Sequence, residues 1–200
     1  MKRAGFGCLI LVLTLAGCTT EPAKLTLATP VATSPTASAP ATMKQVCLLL
    51  VEDQRTNSES LGQVAGRPFH ANDLPAWIVQ SLNNLAPGKY LISEKVPKDD
   101  AHLAIKVCIL KAYVSNVLAS KTAVIVLKVE YSLKGEANPT PVIVRGQYTG
   151  PNWASGTGEV QTALQAALNQ CMQQISTQID ASFPKPSKTG MIEAADHRGT

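Results

Sequence analysis

The sequence is poor in charged and aromatic residues. Of its 200 residues, 18 are Lys or Arg and 14 are Asp or Glu, which gives a formal net charge of +4. A protein that binds nucleic-acid phosphates needs a strongly basic surface, so this balance predicts no nucleic-acid partner. The apolar fraction of 45% is typical of a globular protein and not of a disordered chain. A chain of this length is most simply one folded domain.

The sequence also lacks the motifs that mark metal binding and catalysis. His70, His102 and His197 are far apart, and there is no Cys-x-x-Cys or His-Glu-x-x-His. There is no Gly-x-Ser-x-Gly motif for a nucleophilic serine. The glycine-rich stretch 150–158 lacks the Gly-Lys-Thr/Ser end of a phosphate-binding loop, so we interpret it as a connection. The sequence therefore predicts no catalytic residue, no metal, no cofactor and no enzymatic activity.

The first hydrophobic run is too short to span a membrane. The segment that follows Lys2 and Arg3 and ends at Cys18 has 15 residues, whereas a helix needs about 20 to cross a bilayer. A positive head, a short apolar middle and small residues at the end predict a secretory signal peptide over residues 1–17. An ordinary signal peptidase disfavours the bulky Leu15 three residues before the cut. The leader therefore does not fit cleavage by an ordinary signal peptidase.

The residues Leu15-Ala16-Gly17-Cys18 resemble the lipobox of bacterial lipoproteins. The resemblance implies that the leader is removed and that Cys18 carries acyl chains on its thiol and its new amino group. Two or more acyl chains hold a protein stably on a membrane. Thr19 follows the cysteine where, in the enterobacterial sorting pattern, an Asp would retain the protein in the inner membrane. The resemblance thus favours the periplasmic face of the outer membrane; the alternative is an ordinary secreted protein with a chance cysteine.

The rest of the chain divides into a linker, a domain and a tail. Residues 18–43 contain four prolines among Thr, Ser and Ala, and we predict an extended linker that reaches up to roughly 75 Å from the membrane. Residues 44–183 are predicted to form one globular domain. Residues 184–200 begin with Pro-Lys-Pro and are predicted to be disordered.

The domain is predicted to be an α+β two-layer sandwich with a mostly antiparallel sheet and two helices on one face. The apolar run 46–51 predicts a central strand covered on both faces, and polar residues predict a long loop to about residue 70. Asn72 or Asp73 can cap a helix with Pro75 in its first turn. A strand near 89–94 and an antiparallel meander over 101–149 follow. A closing amphipathic helix, capped by Thr157, is predicted to have an apolar stripe and a solvated, glutamine-rich face. The residues of the stripe are Val160, Leu164, Leu168, Cys171, Ile175 and Ile179. The glutamines of the solvated face are Gln161, Gln165, Gln174 and Gln178.

Three cysteines remain after the leader and the lipid site. Cys47, Cys108 and Cys171 each fall inside a predicted strand or helix. A free thiol there packs as a small hydrophobic group. We favour this interpretation over one disulfide with one free thiol, which the envelope would also permit.

The tetrapeptide Asp53-Gln54-Arg55-Thr56 follows the first strand, and a long hairpin and an Ala-rich amphipathic helix come later. With the lipobox and the Pro/Thr linker, these features resemble the YajG family of uncharacterised bacterial lipoproteins over residues 44–183. The architecture also resembles auxiliary lipoproteins of envelope lipid transporters and lipopolysaccharide-assembly lipoproteins. None of these resemblances supplies a catalytic residue, and fold alone does not establish function.

Four residues are candidates for contact with a partner. Asp53, Gln54 and Arg55 lie at the mouth of the first strand; for Asp53 and Arg55 we favour a local surface ion pair worth about 0 to 1 kcal/mol over a recognition role. Trp153 is either an interface anchor or packs under the closing helix, whereas Trp77 is predicted to lie in the core.

Three functions are compatible with these sequence features. The first is a non-enzymatic interaction or scaffold module, held to the membrane by its N-terminal lipid and bound to an envelope protein partner. The second is an auxiliary subunit for lipid or lipopolysaccharide transport, which needs an apolar groove between the closing helix and the sheet. The third, least favoured, is an envelope hydrolase, because the sequence shows no acid/base or nucleophile pair; a pocket that joins Asp53, Arg55 and His70 would be needed to support it.

Overall fold

The computed structural model describes residues 21–27, 43–87, 89–134, 139–152 and 156–183. These residues form eight strands and two helices. In chain order they are β1 (Ala23–Leu25), β2 (Lys44–Asp53), β3 (Ser60–Val64), β4 (Arg67–Ala71), α1 (Leu74–Asn83), β5 (Tyr90–Ser93), β6 (Leu103–Val117), β7 (Ser120–Leu133), β8 (Thr140–Pro151) and α2 (Thr157–Ser182).

The strands form one mixed sheet. One edge of β6 pairs with β2 over residues 103–109 and with β3 at Val114. Beyond β2 lies β5, and beyond β3 lie β4 and then β1. The opposite edge of β6 pairs with β7, which in turn pairs with β8. The β1–β4, β2–β5, β2–β6 and β3–β6 pairings are parallel, and the β3–β4, β6–β7 and β7–β8 pairings are antiparallel. The predicted mostly antiparallel two-layer sandwich is therefore wrong. The meander lies where it was predicted, but α1 crosses over between β2 and β5 and returns the chain in the same direction.

A hairpin occupies much of the predicted loop between β2 and α1. Its strands, β3 and β4, are joined by a turn at Ala65 and Gly66, which have φ angles of 50° and 76°. Two successive positive φ angles suit a tight hairpin turn. Gly62 has a φ of 89°, and a Cβ placed there would lie 2.3 Å from the carbonyl oxygen of Val114. Only glycine lets β3 approach β6 this closely.

Strand β1 lies inside the predicted linker of residues 18–43. It pairs with β4, with Ala23 opposite Phe69 and Leu25 opposite Ala71. The side chains of Ala23 and Leu25 are buried in the main core. The described fold therefore includes residues that we predicted to be linker, five positions after Cys18.

The helices begin at specific local signals. The Oδ1 atom of Asp73 accepts a hydrogen bond of 3.1 Å from the Ala76 N–H, which caps α1 as predicted, and Trp77 lies in the core. The predicted cap of α2 is wrong, because Thr157 is already helical and Gly156 takes the cap position without a side-chain bond. The apolar stripe of α2 is confirmed, since its members are all fully buried: Val160, Leu164, Leu168, Cys171, Ile175 and Ile179.

The other face of the sheet, which we call the open face, carries exposed apolar residues. The buried residues of α1 and α2 belong to one cluster with alternate residues of the strands. The register of β2 against β6 shifts between Leu48 and Leu50, and Leu49 and Leu50 are each 46% exposed. The prediction that this strand is covered on both faces is confirmed for Val46, Cys47 and Leu48, because Cys47 is buried against Ala101 and Ala104 on the face opposite the main core. It is wrong for Leu49 and Leu50. Leu91 of β5 and Ile143 of β8 are exposed as well.

Side chains from α2 bind the free edge of β8. Gln174 accepts from the Arg145 N–H at 3.3 Å and donates to the Arg145 carbonyl at 2.7 Å. Gln170 makes the same pair of bonds with Gln147, at 3.1 and 2.9 Å. The predicted glutamine face of α2 is thus not only a solvated surface, because one of its members, Gln174, satisfies backbone groups that would otherwise be open to another strand. Gln170, which was not in the predicted set, does the same.

Cys47, Cys108 and Cys171 are free and buried, which confirms the favoured prediction. Burial raises the pKa of the Cys171 thiol to about 12, so this thiol stays protonated and unreactive at neutral pH. Among the described residues, neither helix is long and apolar enough to cross a bilayer.

Candidate functional site

The structure brings together three of the predicted site residues. Asp53, Gln54 and Arg55 lie at the end of β2, where the chain leaves for the β3–β4 hairpin. Cys18 and Trp153 fall outside the described residues, as does His197. His70 lies half-buried on β4, and His102 stacks on Phe183 with ring centroids 4.7 Å apart.

Asp53 and Arg55 form a buried ion pair. Their side chains are only 15% and 5% exposed, and Arg55 Nη2 lies 2.8 Å from Asp53 Oδ2. Arg55 Nε also donates to Asp53 Oδ1 at 2.9 Å, so the contact is bidentate. The predicted alternative of a surface pair does not describe this geometry. Paired planar groups of this kind give directional, charge-assisted hydrogen bonds.

The remaining donors of Arg55 reach backbone carbonyls on other segments. Nη1 donates to the Ser60 carbonyl at 2.9 Å and to the Ala112 carbonyl at 3.4 Å, and Nη2 donates to the Ser58 carbonyl. One side chain thereby joins the end of β2, the start of β3 and the middle of β6. We call Asp53 and Arg55 the clamp.

The clamp shifts the titration of Asp53. Burial by itself raises the pKa of this carboxyl, but the hydrogen bonds from the Arg55 side chain and backbone N–H, together with its charge, outweigh burial and hold the pKa below the ordinary value of 3.8. Asp53 is therefore ionised at neutral pH and keeps Arg55 in place.

Gln54 differs from its two neighbours. Its side chain is exposed and donates to Glu52 Oε2 at 2.9 Å, while its backbone N–H donates to the Ile109 carbonyl at 3.0 Å. Of the three residues, Gln54 is the one whose side chain faces solvent, so it is available to a partner.

The clamp holds the part of the sheet that receives the N-terminus. We call strands β1, β4 and β3 the arm; it joins β6 through the pairing of Gly62 with Val114. The chain runs from the clamp through β3 and β4, and β4 in turn pairs with β1. Sequence reasoning missed β1, although Ala23, Leu25 and Leu27 alternate with polar residues, a weak period-two signal.

Neither of two surface depressions in the described part of the chain is the pocket that a hydrolase hypothesis would need. One surface depression, of about 590 Å³, is lined by Gln45, Leu91, Ser93, Lys95, Val96, Pro97 and Asp100. Another, of about 520 Å³, lies between the end of α1 and α2. Asp53, Arg55 and His70 line neither. Within the described ranges, no group of three or more His, Cys, Asp or Glu residues is placed to hold a metal ion.

No protein-family model matches the chain, and no curated protein matches it in sequence. Among solved structures, protein XCC0632 of Xanthomonas campestris, from the DUF330 family, is similar over 80% of this chain and 99% of its own, with a TM-score of 0.54 and 12% identity. That likeness shows a shared fold alone. The hypothetical protein CT253 of Chlamydia trachomatis (12% identity, TM-score 0.47, 70% and 97% coverage) and a minor lipoprotein of Acinetobacter baumannii (17%, 0.38, 71% and 94%) are more distant. None of these comparisons shows membership of the YajG family.

Proposed function

We propose that this protein is a lipid-anchored envelope protein that acts as a non-enzymatic interaction module close to the membrane surface. The observation that carries the proposal is the position of β1. Ala23 is already bound into the sheet, and the lipobox-like Cys18 is five residues earlier. Five residues span at most about 18 Å.

This short distance limits how far the folded domain can lie from the lipid anchor. If residues 18–43 formed one free linker, the domain would range up to roughly 75 Å from the lipid. With β1 bound to β4, the chain from Cys18 to the sheet is short, and residues 26–43 connect two strands of the same fold. The acylated protein therefore stays beside the leaflet that holds it.

The charged pairs in the described fold support a non-enzymatic role. Lys121 with Glu159 and Lys89 with Asp180 join different segments of the structure, Asp53 with Arg55 links segments through the other hydrogen bonds of Arg55, and Lys128 with Glu130 lies within β7. None of these residues lines either of the two surface depressions. Structural ion pairs of this kind perturb pKa values without catalytic function. The acidic and basic groups of these pairs are committed to the fold.

The open face supports an interaction role. Leu49 and Leu50 of β2 are each 46% exposed, and Leu91 of the adjoining strand β5 is 42% exposed. Ile143 is 57% exposed but lies three strands away on β8, beyond the Lys128–Glu130 ion pair of β7. Large exposed apolar residues clustered on one surface mark interaction sites. We propose the open face as the contact surface for a protein partner in the envelope, with the outer membrane as the location.

Two measurements on the full chain in its bacterial host test the proposal. Radiolabelled palmitate should enter the wild-type chain, and the chain should sediment with the outer membrane; Cys18→Ser should lose both properties. A photo-crosslinking residue at Leu50 should give a discrete adduct, whereas one at the exposed Gln178 of α2 should not. Palmitate incorporation that does not depend on Cys18, or identical crosslinking from both positions, would contradict the proposal.

The lipid-transport function depends on a groove between α2 and the sheet. The residues of α2 that face the sheet are fully buried, including Leu164, Leu168 and Ile175. Gly146 lies so close to α2 that an added Cβ would be 1.7 Å from the Ala167 carbonyl oxygen. This interface is filled, so we do not propose that function.

A further inference from the structure

The hairpin between β6 and β7 ends in two exposed apolar side chains. Val117 is 72% exposed and Leu118 is 93% exposed. Leu118 also has a φ of 54°, a left-handed conformation that favours Gly, Asn or Asp over a bulky side chain. Neither local turn preference nor the core explains a leucine here. We call Val117 and Leu118 the tip.

The tip is held firmly by its surroundings. The Asn152 N–H donates to the Ala119 carbonyl at 2.7 Å, which fastens the end of β8 to the turn. Just below it, Lys121 has a 3% exposed side chain and donates to Glu159 Oε2 at 2.6 Å, in the first turn of α2. The tip is therefore a supported protrusion rather than a loose loop.

The tip lies at the end of the sheet from which the N-terminus leaves. Strand β1 runs parallel to β4, β4 antiparallel to β3, and β3 parallel to β6. It follows that β1 and β6 are antiparallel, so the N-terminal end of β1 lies toward the end of the sheet at which β6 turns. The Ala65 N–H in the β3–β4 turn donates to Asn116 Oδ1 at 2.8 Å, which places that turn beside the base of the tip.

The distance from the arm to the tip is comparable to the reach of the chain between Ala23 and Cys18. Val114 pairs with Gly62 in the arm, and Leu118 lies four residues further along, roughly 13 Å at the rise of a strand. The chain from Ala23 back to Cys18 reaches at most about 18 Å. Acyl chains on Cys18 and the apolar tip can therefore meet the same lipid surface.

We infer that Val117 and Leu118 insert into the lipid leaflet that holds the N-terminus, so that the protein has a fixed orientation on the membrane. The inference rests on the proposed lipid anchor at Cys18. Two apolar side chains add little to the affinity of a diacylated or triacylated protein. Their effect is to make a second contact point, which restricts rotation and directs the opposite end of the sheet away from the lipid.

Depth-dependent quenching tests the inference in the full acylated chain. Leu118→Cys and Gln178→Cys are each labelled with an environment-sensitive dye and reconstituted in phosphatidylethanolamine and phosphatidylglycerol vesicles; the native thiols at 47, 108 and 171 are buried and should resist labelling. Residue 178 is 21 residues into α2, roughly 30 Å from the start of the helix at the tip end. It is the matched control, and Val117→Cys is a second tip position if the first variant misfolds.

Insertion about 5 to 10 Å into the headgroup boundary predicts a blue-shifted dye at residue 118 and about twofold quenching by lipids that carry a shallow nitroxide. The dye at residue 178 should show neither effect. The mass of the N-terminal peptide from the same sample reports acylation separately. Acylated protein without quenching at 117 or 118 would overturn the inference and leave the anchor intact. Unacylated protein would overturn the anchor. Because Cys18 would then be a free thiol, the dye is placed on Leu118→Cys combined with Cys18→Ser; quenching of that protein on added vesicles would still support insertion of the tip, whereas its absence would overturn it.

Discussion

At the scale of single residues, Arg55 is a side chain that joins several parts of the described fold. Its guanidinium binds Asp53 and the carbonyls of Ser58, Ser60 and Ala112. Removing one partner of a buried pair leaves an uncompensated charge, which is costlier than the pair itself is stabilising. Removing either residue of the clamp is therefore expected to lower the free energy of unfolding.

Arg55→Ala should lower the free energy of unfolding by about 3 to 5 kcal/mol, because Asp53 loses its partner and three carbonyls lose a donor. Urea unfolding followed by circular dichroism measures the change. Lys111→Ala, which removes an exposed cation from β6, should stay within about 0.5 kcal/mol of wild type. Equal effects of the two substitutions would argue against a clamp.

Acid should weaken the fold through Asp53. The pKa of this carboxyl is lower in the folded state than its ordinary value of 3.8, so its contribution to stability is complete above that value and is lost as the pH falls through the folded pKa. Unfolding by urea at pH 6 and at pH 3 should show a smaller loss of stability in Asp53→Asn than in wild type. The same loss in both proteins would mean that other groups control the acid response.

At the scale of elements, the arm and the free edge of β8 are the parts that hydrophobic periodicity does not reveal. The sequence predicted β6, β7, α1 and the stripe of α2 because these have long apolar alternations or helical spacing. It failed for β1, β3 and β4, which have three to five residues each. It also missed the parallel pairing of β2 with β5 and β6, although all three strands were predicted, and so it predicted a mostly antiparallel sheet. Short strands acquire their structure from long-range pairing, such as Gly62 with Val114, which no local pattern encodes.

Leu25→Asp should release β1 from β4, because the substitution places a charge in the core beside Ala71. Hydrogen exchange at the amides of β4 should then become faster, while exchange in β7 stays slow. Lys24→Asp changes the neighbouring exposed residue of the same strand and should leave both unchanged. Slow exchange in β4 of Leu25→Asp would mean that β1 contributes nothing to the arm.

The double substitution Gln170→Ala and Gln174→Ala should expose the edge of β8. Each side chain bonds to the N–H and the carbonyl of one edge residue, and loss of a hydrogen bond costs about 0.5 to 1.5 kcal/mol. Unpaired strand edges promote self-association, so light scattering should detect oligomers at concentrations at which the wild type is monodisperse. Gln178→Ala should behave as wild type; if the double variant does as well, the edge is protected by something else.

At the scale of the whole molecule, the candidate site was only partly predictable. Asp53, Gln54 and Arg55 were found from the sequence, since a charged tetrapeptide directly after an apolar run stands out. Their role was not, because a bond from Arg55 to Ala112 spans 57 positions and depends on the final sheet. The short reach of the anchor was equally hidden, because it depends on the pairing of β1 with β4.

The central claim is that β1 keeps the folded body beside the leaflet to which Cys18 is attached. Neutron reflectometry of the acylated full chain on a supported bilayer measures this most directly. We predict protein density that begins within about 20 Å of the headgroups, as a five-residue connection requires, and a thicker, more diffuse layer for Leu25→Asp. A solvent gap of roughly 50 Å below the wild-type protein, which only a free linker permits, would contradict the claim.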